Sequence, residues 1–250
     1  MPTVVLFETD RLEDELATRA AAPGLLPLGG LPLLSYAARA FRACGDVTRV
    51  VLAGSTGYAG HGAALAEVDE SLLLDGATGT RLQAVLDQYG GENELLFWPP
   101  NAPLVRPEMV EHFLAHAPVQ AALTWALVRE ERMLQIFPDG LDVPRHGFDG
   151  LNLAITPLGL VRPAAIETQR PLLNRLVGTE LNRGELIKML GMGFAIKFQA
   201  RRAPLDEVVR RLSEALSLPC LAQILPFPEL AFRVRNRAEH HLARARLESL

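Results

Sequence analysis

Lysine is nearly absent from this 250-residue sequence. Of its 25 basic residues, only Lys188 and Lys197 are lysines, and the other 23 are arginines. Any site built from residues ahead of Lys188 must therefore take its fixed positive charge from arginine. A guanidinium is always charged and can clamp a phosphate through two hydrogen bonds. Chemistry that depends on a lysine is excluded from the whole of that region.

Cysteine, long apolar runs and excess positive charge are also missing. Cys44 and Cys220 are the two cysteines, and they form neither a disulfide framework nor a CxxC pair. No apolar run reaches the roughly 18–20 residues that a membrane helix needs, and a net charge of -4 offers no general basic field for nucleic acid. The start of the chain leads straight into a strand and lacks the features of a signal peptide. These absences predict a cytoplasmic protein with no membrane span and no nucleic-acid partner.

Strand-like and helix-like segments alternate along the chain. Apolar runs read as strands, and segments of ten to fifteen residues with helical periodicity separate them, which indicates a mainly parallel sheet covered on both faces. We expect one α/β domain over residues 1–250, because the sequence shows no repeat and no low-complexity linker. The predicted strands are Thr3–Phe7, Arg49–Ala53, Ser71–Leu74, Leu95–Trp98, Gln120–Val128 and Gly150–Ile155. The predicted helices run from Pro32 to about Cys44, from Arg81 to Gln88, and from Pro107, Asp206 and Arg237 onward.

Two short blocks carry a family resemblance. The first is the block Leu25–Leu34, with its Gly-Gly turn between prolines, and the second is Asn101-Ala102-Pro103-Leu104 after the strand that ends at Trp98. In this order the blocks resemble the MobA-like NTP transferases, which have the nucleotide-diphospho-sugar transferase fold. The resemblance implies a three-layer α/β/α domain with a mainly parallel, mixed sheet. It also implies that a nucleoside triphosphate and an acceptor phosphate or phosphonate give a nucleotide-activated product and pyrophosphate, with Mg²⁺ as the cofactor.

The resemblance also assigns site residues. Ligands of such sheets bind at the carboxyl ends of the strands, so the loops that follow them are the places to look. On the acceptor or phosphate side stand Asn152, in a segment like the family's "G-G-N" strand, and two arginines near the C-terminus that could clamp a phosphate. The implied nucleotide-binding residues are Phe7, Glu8, Thr9, Gly76, Thr78, Gly79 and Asn101, and the implied acceptor-side residues are Asn152, Arg233 and Arg235.

The sequence departs from the family where the chemistry would occur. The glycine-rich triphosphate loop is replaced by an acidic segment that starts at Glu8, and the lysine that should precede Leu25 is missing, so Arg11 or Arg19 would have to replace it. Asn101 stands where the family has a magnesium-binding aspartate, and Arg233 and Arg235 stand where acids are expected. No metal ligand or catalytic residue is therefore assigned. The alternative is a catalytically inactive relative that binds a nucleotide or serves as a protein-interaction scaffold.

A second alternative rests on the glycines at 54, 57 and 60. The loop Gly54–Gly60 follows a strand and resembles the pyrophosphate loop of NADP-binding Rossmann proteins, with Asp75 about 20 residues further on as a ribose ligand. A flexible glycine loop at the sheet edge explains the same pattern. His112 and His116 have the i, i+4 spacing of a zinc pair but lack its glutamate.

The partners that follow are a nucleoside triphosphate and a small phosphorylated acceptor. A homodimer is also possible, because the apolar stretch Gly184–Phe198 predicts a helix that is either buried or faces another subunit. An interfacial membrane helix is the other interpretation of that stretch.

Overall fold

The protein is built around one eight-stranded sheet. The computed structural model describes residues 1–9, 11–138, 141–177 and 191–248. A separate two-stranded hairpin is formed by β2 and β3. In chain order the strands are β1 (Thr3–Phe7), β2 (Pro27–Leu28), β3 (Leu31–Pro32), β4 (Arg49–Gly54), β5 (Glu70–Leu73), β6 (Leu95–Trp98), β7 (Leu123–Arg129), β8 (Arg145–Phe148), β9 (Leu151–Val161) and β10 (Cys220–Leu225).

The sheet is mixed but mainly parallel. Its order is β10-β7-β9-β6-β1-β4-β5, with β8 paired to the outer part of β9. β1 runs parallel to β4 and β6, β4 parallel to β5, and β7 parallel to β10. β9 is antiparallel to β6, β7 and β8. Strands that run parallel need long crossover connections, and in this chain the crossovers contain helices. The predicted mixed, mainly parallel sheet is confirmed.

Helices cover both faces of the sheet. On one face α1 and α4 pack on β1, β4 and β6 through residues such as Phe41 and Phe113. On the other face α3 and α7 pack through Leu82, Leu86 and Leu173. The predicted three-layer arrangement is therefore present. The helices are α1 (Leu33–Ala43), α2 (Gly62–Leu65), α3 (Thr78–Tyr89), α4 (Pro107–Ala115), α5 (Glu130–Ile136), α6 (Pro163–Ile166), α7 (Arg170–Val177), α8 (Met192–Gln199), α9 (Leu205–Leu216) and α10 (Arg237–Leu247).

The Leu25–Leu34 block forms the β2–β3 hairpin and the start of α1. Its turn contains Gly29 at φ +56° and Gly30 at φ +88°, which is the pair of positive φ values that a two-residue hairpin turn of type I′ requires. Pro32 caps α1 rather than opening it, and Cys44 instead of Gly45 caps its end. The glycine pair thus sets the geometry of the block, while the prolines mark its boundaries.

Most predicted elements are found with shifted ends. The strand expected over Gln120–Val128 is β7, which begins three residues later at Leu123, and α10 begins at the predicted Arg237. The strand expected from Gly150 extends as far as Val161, because it crosses the sheet between β6 and β7. Of the predicted helix Gly184–Phe198, residues 192–198 lie in α8, Gly191 is its N-cap residue, and residues 184–190 lie outside the described residues. In the ranges that the structure describes, every helix is too short or too polar to span a bilayer.

Candidate functional site

A polar cleft lies at the carboxyl ends of β1, β4 and β5. Its volume is about 660 Å³, within the range of roughly 300–1,000 Å³ typical of small-molecule sites. The residues come from the loop after β1, the loop after β4, and the segment that joins β5 to α3. The polar cleft is lined by Glu8, Thr9, Arg11, Leu12, Ala17, residues 20–23, Ser55, residues 75–78 and Arg81.

The N-terminus of α3 forms one wall of the polar cleft. Gly76, with φ +131°, turns the chain from β5 into this helix, and the first helical residue, Thr78, lines the cleft. The guanidinium of Arg81 donates hydrogen bonds to the carbonyl oxygens of Gly76, at 3.1 Å, and Glu8, at 3.0 Å. Unpaired amides and the helix dipole favour an anion at such a helix start. Arg81 adds a fixed charge beside it and holds the two loops together.

Glu8 and Ser55 line the polar cleft, and the buried Tyr58 lies behind them. Glu8 is only 6% exposed, and the Ser55 hydroxyl donates to its Oε2 at 3.4 Å. Burial raises the pKa of Glu8, opposed by the hydrogen bond from Ser55 and the charge of Arg81. Tyr58 is fully buried, and its hydroxyl accepts a hydrogen bond from the Gly24 amide at 3.0 Å. Burial, with the neighbouring Glu8 charge, holds the Tyr58 pKa well above its usual value.

Two acids of the loop after β1, Glu13 and Glu15, lie outside the polar cleft. The Glu15 carboxylate lies 3.4 Å from the guanidinium of Arg237 in α10, and the backbone amide of Glu13 donates to the Arg235 carbonyl. Glu13 and Glu15 of this loop therefore contact the C-terminal segment. Among the described residues, the cleft is lined by two acids, Glu8 and Asp75, and two arginines, Arg11 and Arg81. Of the two proposed lysine replacements, Arg11 lines the cleft, whereas Arg19 is an exposed residue at the end of a 3₁₀ turn.

The glycines at 54 and 57 are required by packing. A Cβ on Gly54 would lie 2.7 Å from the Tyr58 ring, and a Cβ on Gly57 would lie 2.4 Å from the carbonyl oxygen of Ala21. Asp75 accepts hydrogen bonds from the amide and hydroxyl of Thr56, at 3.1 and 2.7 Å. The helix after this loop, α2, has only four residues. Contacts within the protein thus account for Gly54, Gly57 and Asp75 of the pattern that resembled a dinucleotide loop.

Asn101 meets the C-terminal segment that contains the two arginines. Asn101 is 1% exposed. Its side-chain amide donates to the backbone carbonyl of Val234 at 2.8 Å, and the backbone amide of Val234 donates to the backbone carbonyl of Asn101 at 2.9 Å. The structure therefore brings together the two places where the resemblance expects magnesium-binding acids. Arg235 binds Glu239 at 2.6 Å and contacts Asp142. An amide donor and an arginine do not fit a two-carboxylate magnesium site.

Other polar residues that the sequence singled out lie outside the polar cleft. Across residues 1–9, 11–138, 141–177 and 191–248, no three His, Cys, Asp or Glu side chains come together as a metal site. The rings of His112 and His116 are tilted by 34° with centroids 4.5 Å apart, and His112 meets Phe227 edge to face. Asn152 is exposed opposite Gly147 in the β8–β9 hairpin and lines neither the polar cleft nor the cavity described next. Its role as an acceptor ligand stays a prediction.

A second cavity adjoins the polar cleft on the sheet face that α3 and α7 cover. This apolar cavity has a volume of about 420 Å³ and shares Thr9 with the polar cleft. Sequence reasoning missed it, and the available signal was Gly159, a glycine inside a strand. The described lining of the apolar cavity consists of Phe7, Thr9, Leu82, Leu86, Phe97, Trp98, Pro99, Leu123, Thr124, Trp125, Pro157, Gly159, Leu160, Val161, Ile166, Leu173 and Arg233.

The predicted site residues therefore fall into three groups. Glu8, Thr9, Gly76 and Thr78 line the polar cleft, while Gly79 is buried in the first turn of α3. Phe7 and Arg233 line the apolar cavity, and Asn101 and Arg235 hold the C-terminal segment in place. Sequence reasoning also missed Arg81, whose signal is its position in the first turn of the helix that follows Gly76.

Comparison with known proteins gives structural likeness only. No protein-family model matches the sequence, and a search of curated proteins finds no match. Among solved structures, a hypothetical transferase from Thermus thermophilus has a TM-score of 0.82 and 22% identity, over 96% of this chain and 98% of that one. The CMP:2-keto-3-deoxy-manno-octonic acid synthetase complexed with CTP has a TM-score of 0.60 and 12% identity, over 100% and 99%.

A third neighbour is 4-diphosphocytidyl-2C-methyl-D-erythritol synthase from Anaerococcus prevotii. Its TM-score is 0.58 and its identity 9%, over 99% of this chain and 95% of that one. Together these likenesses show that the chain has the nucleotidyltransferase-type fold along nearly its whole length. This confirms the fold that the sequence resemblance implied.

Proposed function

We propose that the protein is a nucleotidyltransferase-like protein that binds a nucleoside triphosphate in the polar cleft. The observation that carries the proposal is the position of the cleft. It lies at the carboxyl ends of parallel strands and contains a helix N-terminus and two arginines, in a fold that it shares with a synthetase solved in complex with CTP. Two of the compared structures are named for cytidine nucleotides, so CTP is the first nucleotide to test.

In this proposal Arg11 and Arg81 provide the positive charge that the missing lysine would supply. The amides at the start of α3 bind an oxygen of the nucleotide, and Glu8 with Ser55 forms the wall against which it rests. An acceptor phosphate or phosphonate oxygen then attacks the α-phosphorus. A new P–O bond forms, the bond from the α-phosphorus to the bridging oxygen breaks, and pyrophosphate leaves. Because the residues around Asn101 do not fit a two-carboxylate site, no step is assigned to Mg²⁺.

The first test is calorimetric titration with CTP, GTP, ATP and UTP, each with and without Mg²⁺, with NADPH as a comparison. We expect one triphosphate to bind, and the Arg81→Ala variant to bind it at least tenfold more weakly. Arg132→Ala is the matched control, because Arg132 is an exposed arginine of α5 outside the cleft. If no triphosphate binds, or if NADPH alone binds, the proposal is wrong.

A catalytically inactive relative is the second candidate, and the contacts of Asn101 and Arg235 favour it. Both side chains stabilise the C-terminal segment where acids would be needed for metal-assisted transfer. The two candidates differ in pyrophosphate release from the bound triphosphate when acceptor phosphates are added. Release that Arg81→Ala abolishes supports the transferase. Triphosphate binding without release for any acceptor, together with a partner protein or a homodimer in solution, supports the scaffold.

A further inference from the structure

The apolar cavity is built around a gap in the sheet surface. Gly159 of β9 pairs with Phe97 of β6 on one side and with Trp125 of β7 on the other. A glycine inside a strand weakens it and often marks close approach of a ligand. Here the missing side chain leaves open space between two large aromatic neighbours, because a Cβ on Gly159 would meet only the Thr124 carbonyl oxygen, at 3.8 Å.

The apolar cavity runs along the strands, from the carboxyl edge of the sheet toward the opposite edge. Thr9 and Pro99 lie at the carboxyl edge of the sheet, next to the polar cleft. Leu123 begins β7 and Val161 ends the antiparallel β9, so both lie toward the opposite edge. Leu123 and Val161 lie level with Leu95, at the start of β6. Because Leu95 precedes Pro99 by four residues, the distance from Pro99 to this level is about 13 Å along the strand. The cavity therefore extends from the nucleotide side down the face of the sheet.

The charge in the described lining is confined to one end. Arg233 is the single charged residue among the described residues that line the apolar cavity. The next residue, Val234, is bonded to Asn101 in the loop after β6, so Arg233 belongs to the carboxyl-edge end. A cation at the entrance and an apolar interior complement a ligand with an anionic head and an apolar tail.

We propose that the acceptor of this protein is an amphiphilic monophosphate or phosphonate, whose apolar body fills the apolar cavity and whose anionic head lies between Arg233 and Thr9. The inference rests on the proposed nucleotidyl transfer, because it assigns the acceptor to the cavity that shares Thr9 with the nucleotide cleft. The phosphate oxygen of the acceptor attacks the α-phosphorus of the triphosphate, a P–O bond to the acceptor forms, and the bond to the leaving pyrophosphate breaks. A polar sugar phosphate would leave the cavity wall unfilled.

The test uses the full-length protein and a series of n-alkyl phosphates. Trp125 lines the apolar cavity beside Gly159, so its fluorescence reports the occupant, while the Trp98 indole packs against Phe41 on the other face of the sheet and contributes a constant background. We expect octyl phosphate to bind at least tenfold more tightly than butyl phosphate, inorganic phosphate or octanol. Each added methylene should improve affinity about fourfold until the cavity is full.

Two substitutions at Gly159 make the test specific. Gly159→Leu fills the gap and should weaken octyl phosphate binding at least tenfold, while CTP affinity measured by calorimetry stays within twofold. Gly159→Ala adds one methyl group and should shift the best ligand to a shorter chain, which keeps the test decisive if the leucine variant does not fold. Arg233→Gln should remove the preference for the phosphate over the alcohol, and Arg132→Gln should not.

The outcomes separate this inference from the function on which it rests. If CTP binds but octyl phosphate does not, or if Gly159→Leu leaves octyl phosphate binding unchanged, the acceptor assignment is wrong and the nucleotide proposal stands. If octyl phosphate binds but no triphosphate does, the cavity is not an acceptor site and the proposed function fails with it. Binding of both, with pyrophosphate released in proportion to octyl phosphate, establishes the assignment.

Discussion

The polar cleft and the apolar cavity are neighbours with opposite chemistry. Both open at the carboxyl edge of the sheet, and both are lined by Thr9. Successive residues at the end of β1 point to opposite sides, as in any strand, so Phe7 lines the apolar cavity while Glu8 lines the polar cleft. A single step along the chain therefore separates a surface suited to charged groups from one that excludes them.

The two regions also depend on the backbone in different ways. In the polar cleft, glycines at 54 and 57 allow tight packing behind the site, and Gly76 turns the chain into α3. In the apolar cavity, Gly159 leaves space that nothing in the described structure fills. A side chain added at Gly54 or Gly57 should therefore clash with its neighbours and distort the polar cleft. A side chain added at Gly159 should instead occupy space in the apolar cavity without a clash. This difference predicts separate effects for substitutions in the two regions.

The largest expected effect is that of Arg81→Ala on nucleotide binding. Hydrogen bonds from a charged group contribute about 1.5–3 kcal/mol, so removing the guanidinium should weaken CTP binding roughly tenfold to a hundredfold. Octyl phosphate binding should be unchanged, because Arg81 does not line the apolar cavity. Calorimetry with both ligands checks this. Equal weakening for both ligands would show that the two regions behave as one site.

Gly57→Ala should lower stability by about 1–3 kcal/mol through overpacking. The added Cβ would meet the Ala21 carbonyl at 2.4 Å, so the wall of the polar cleft must move. Gly62→Ala is the matched control, because a Cβ there meets no atom within 4 Å. Urea denaturation of the three proteins checks the difference. Similar midpoints for the two variants would mean that the Gly57 contact is not important for stability.

Glu8→Gln should change how stability depends on pH. Burial raises the pKa of Glu8 in the folded protein above its ordinary value of 4.5, so the folded state holds this proton more tightly than the unfolded state. The contribution of the protonated Glu8 carboxyl to the free energy of unfolding is fully present below pH 4.5 and is lost as the pH rises through the raised pKa. The variant should therefore gain stability relative to the wild type over that interval. Denaturation midpoints measured from acid to neutral pH, with Glu13→Gln as control, test the sign.

The smallest expected effect comes from salt. Raising the ionic strength shortens the Debye length from about 10 Å at 0.1 M to about 3 Å at 1 M, which should weaken CTP binding in the exposed polar cleft severalfold. The affinity ratio between octyl and hexyl phosphate should stay constant or rise slightly, since it reports only apolar burial. A ratio that falls with salt would mean that the alkyl chain does not occupy an apolar environment.

Much of the fold could be predicted from local patterns. The strands that end at Phe7 and Trp98, and the helices that begin at Pro107 and Arg237, follow from short-range apolar periodicity and turn residues. The insertion of β9 antiparallel between β6 and β7 does not, because strand pairing between residues far apart in sequence leaves no local signal. For the same reason the ion pair between Glu15 and Arg237, 222 residues apart, has no local signal in the sequence.

The sequence by itself determined what this chain could not contain and which strand ends were worth inspecting. The scarcity of lysine and the presence of Asn101, Arg233 and Arg235 at expected acid positions are properties of composition and order alone. Only the tertiary structure decided how those residues act: Asn101 bonds to Val234, Arg235 to Glu239, and Arg233 lines a cavity. The physical reason is that a side chain's role depends on the atoms that surround it, and for Asn101 these come from a segment 133 residues further along the chain.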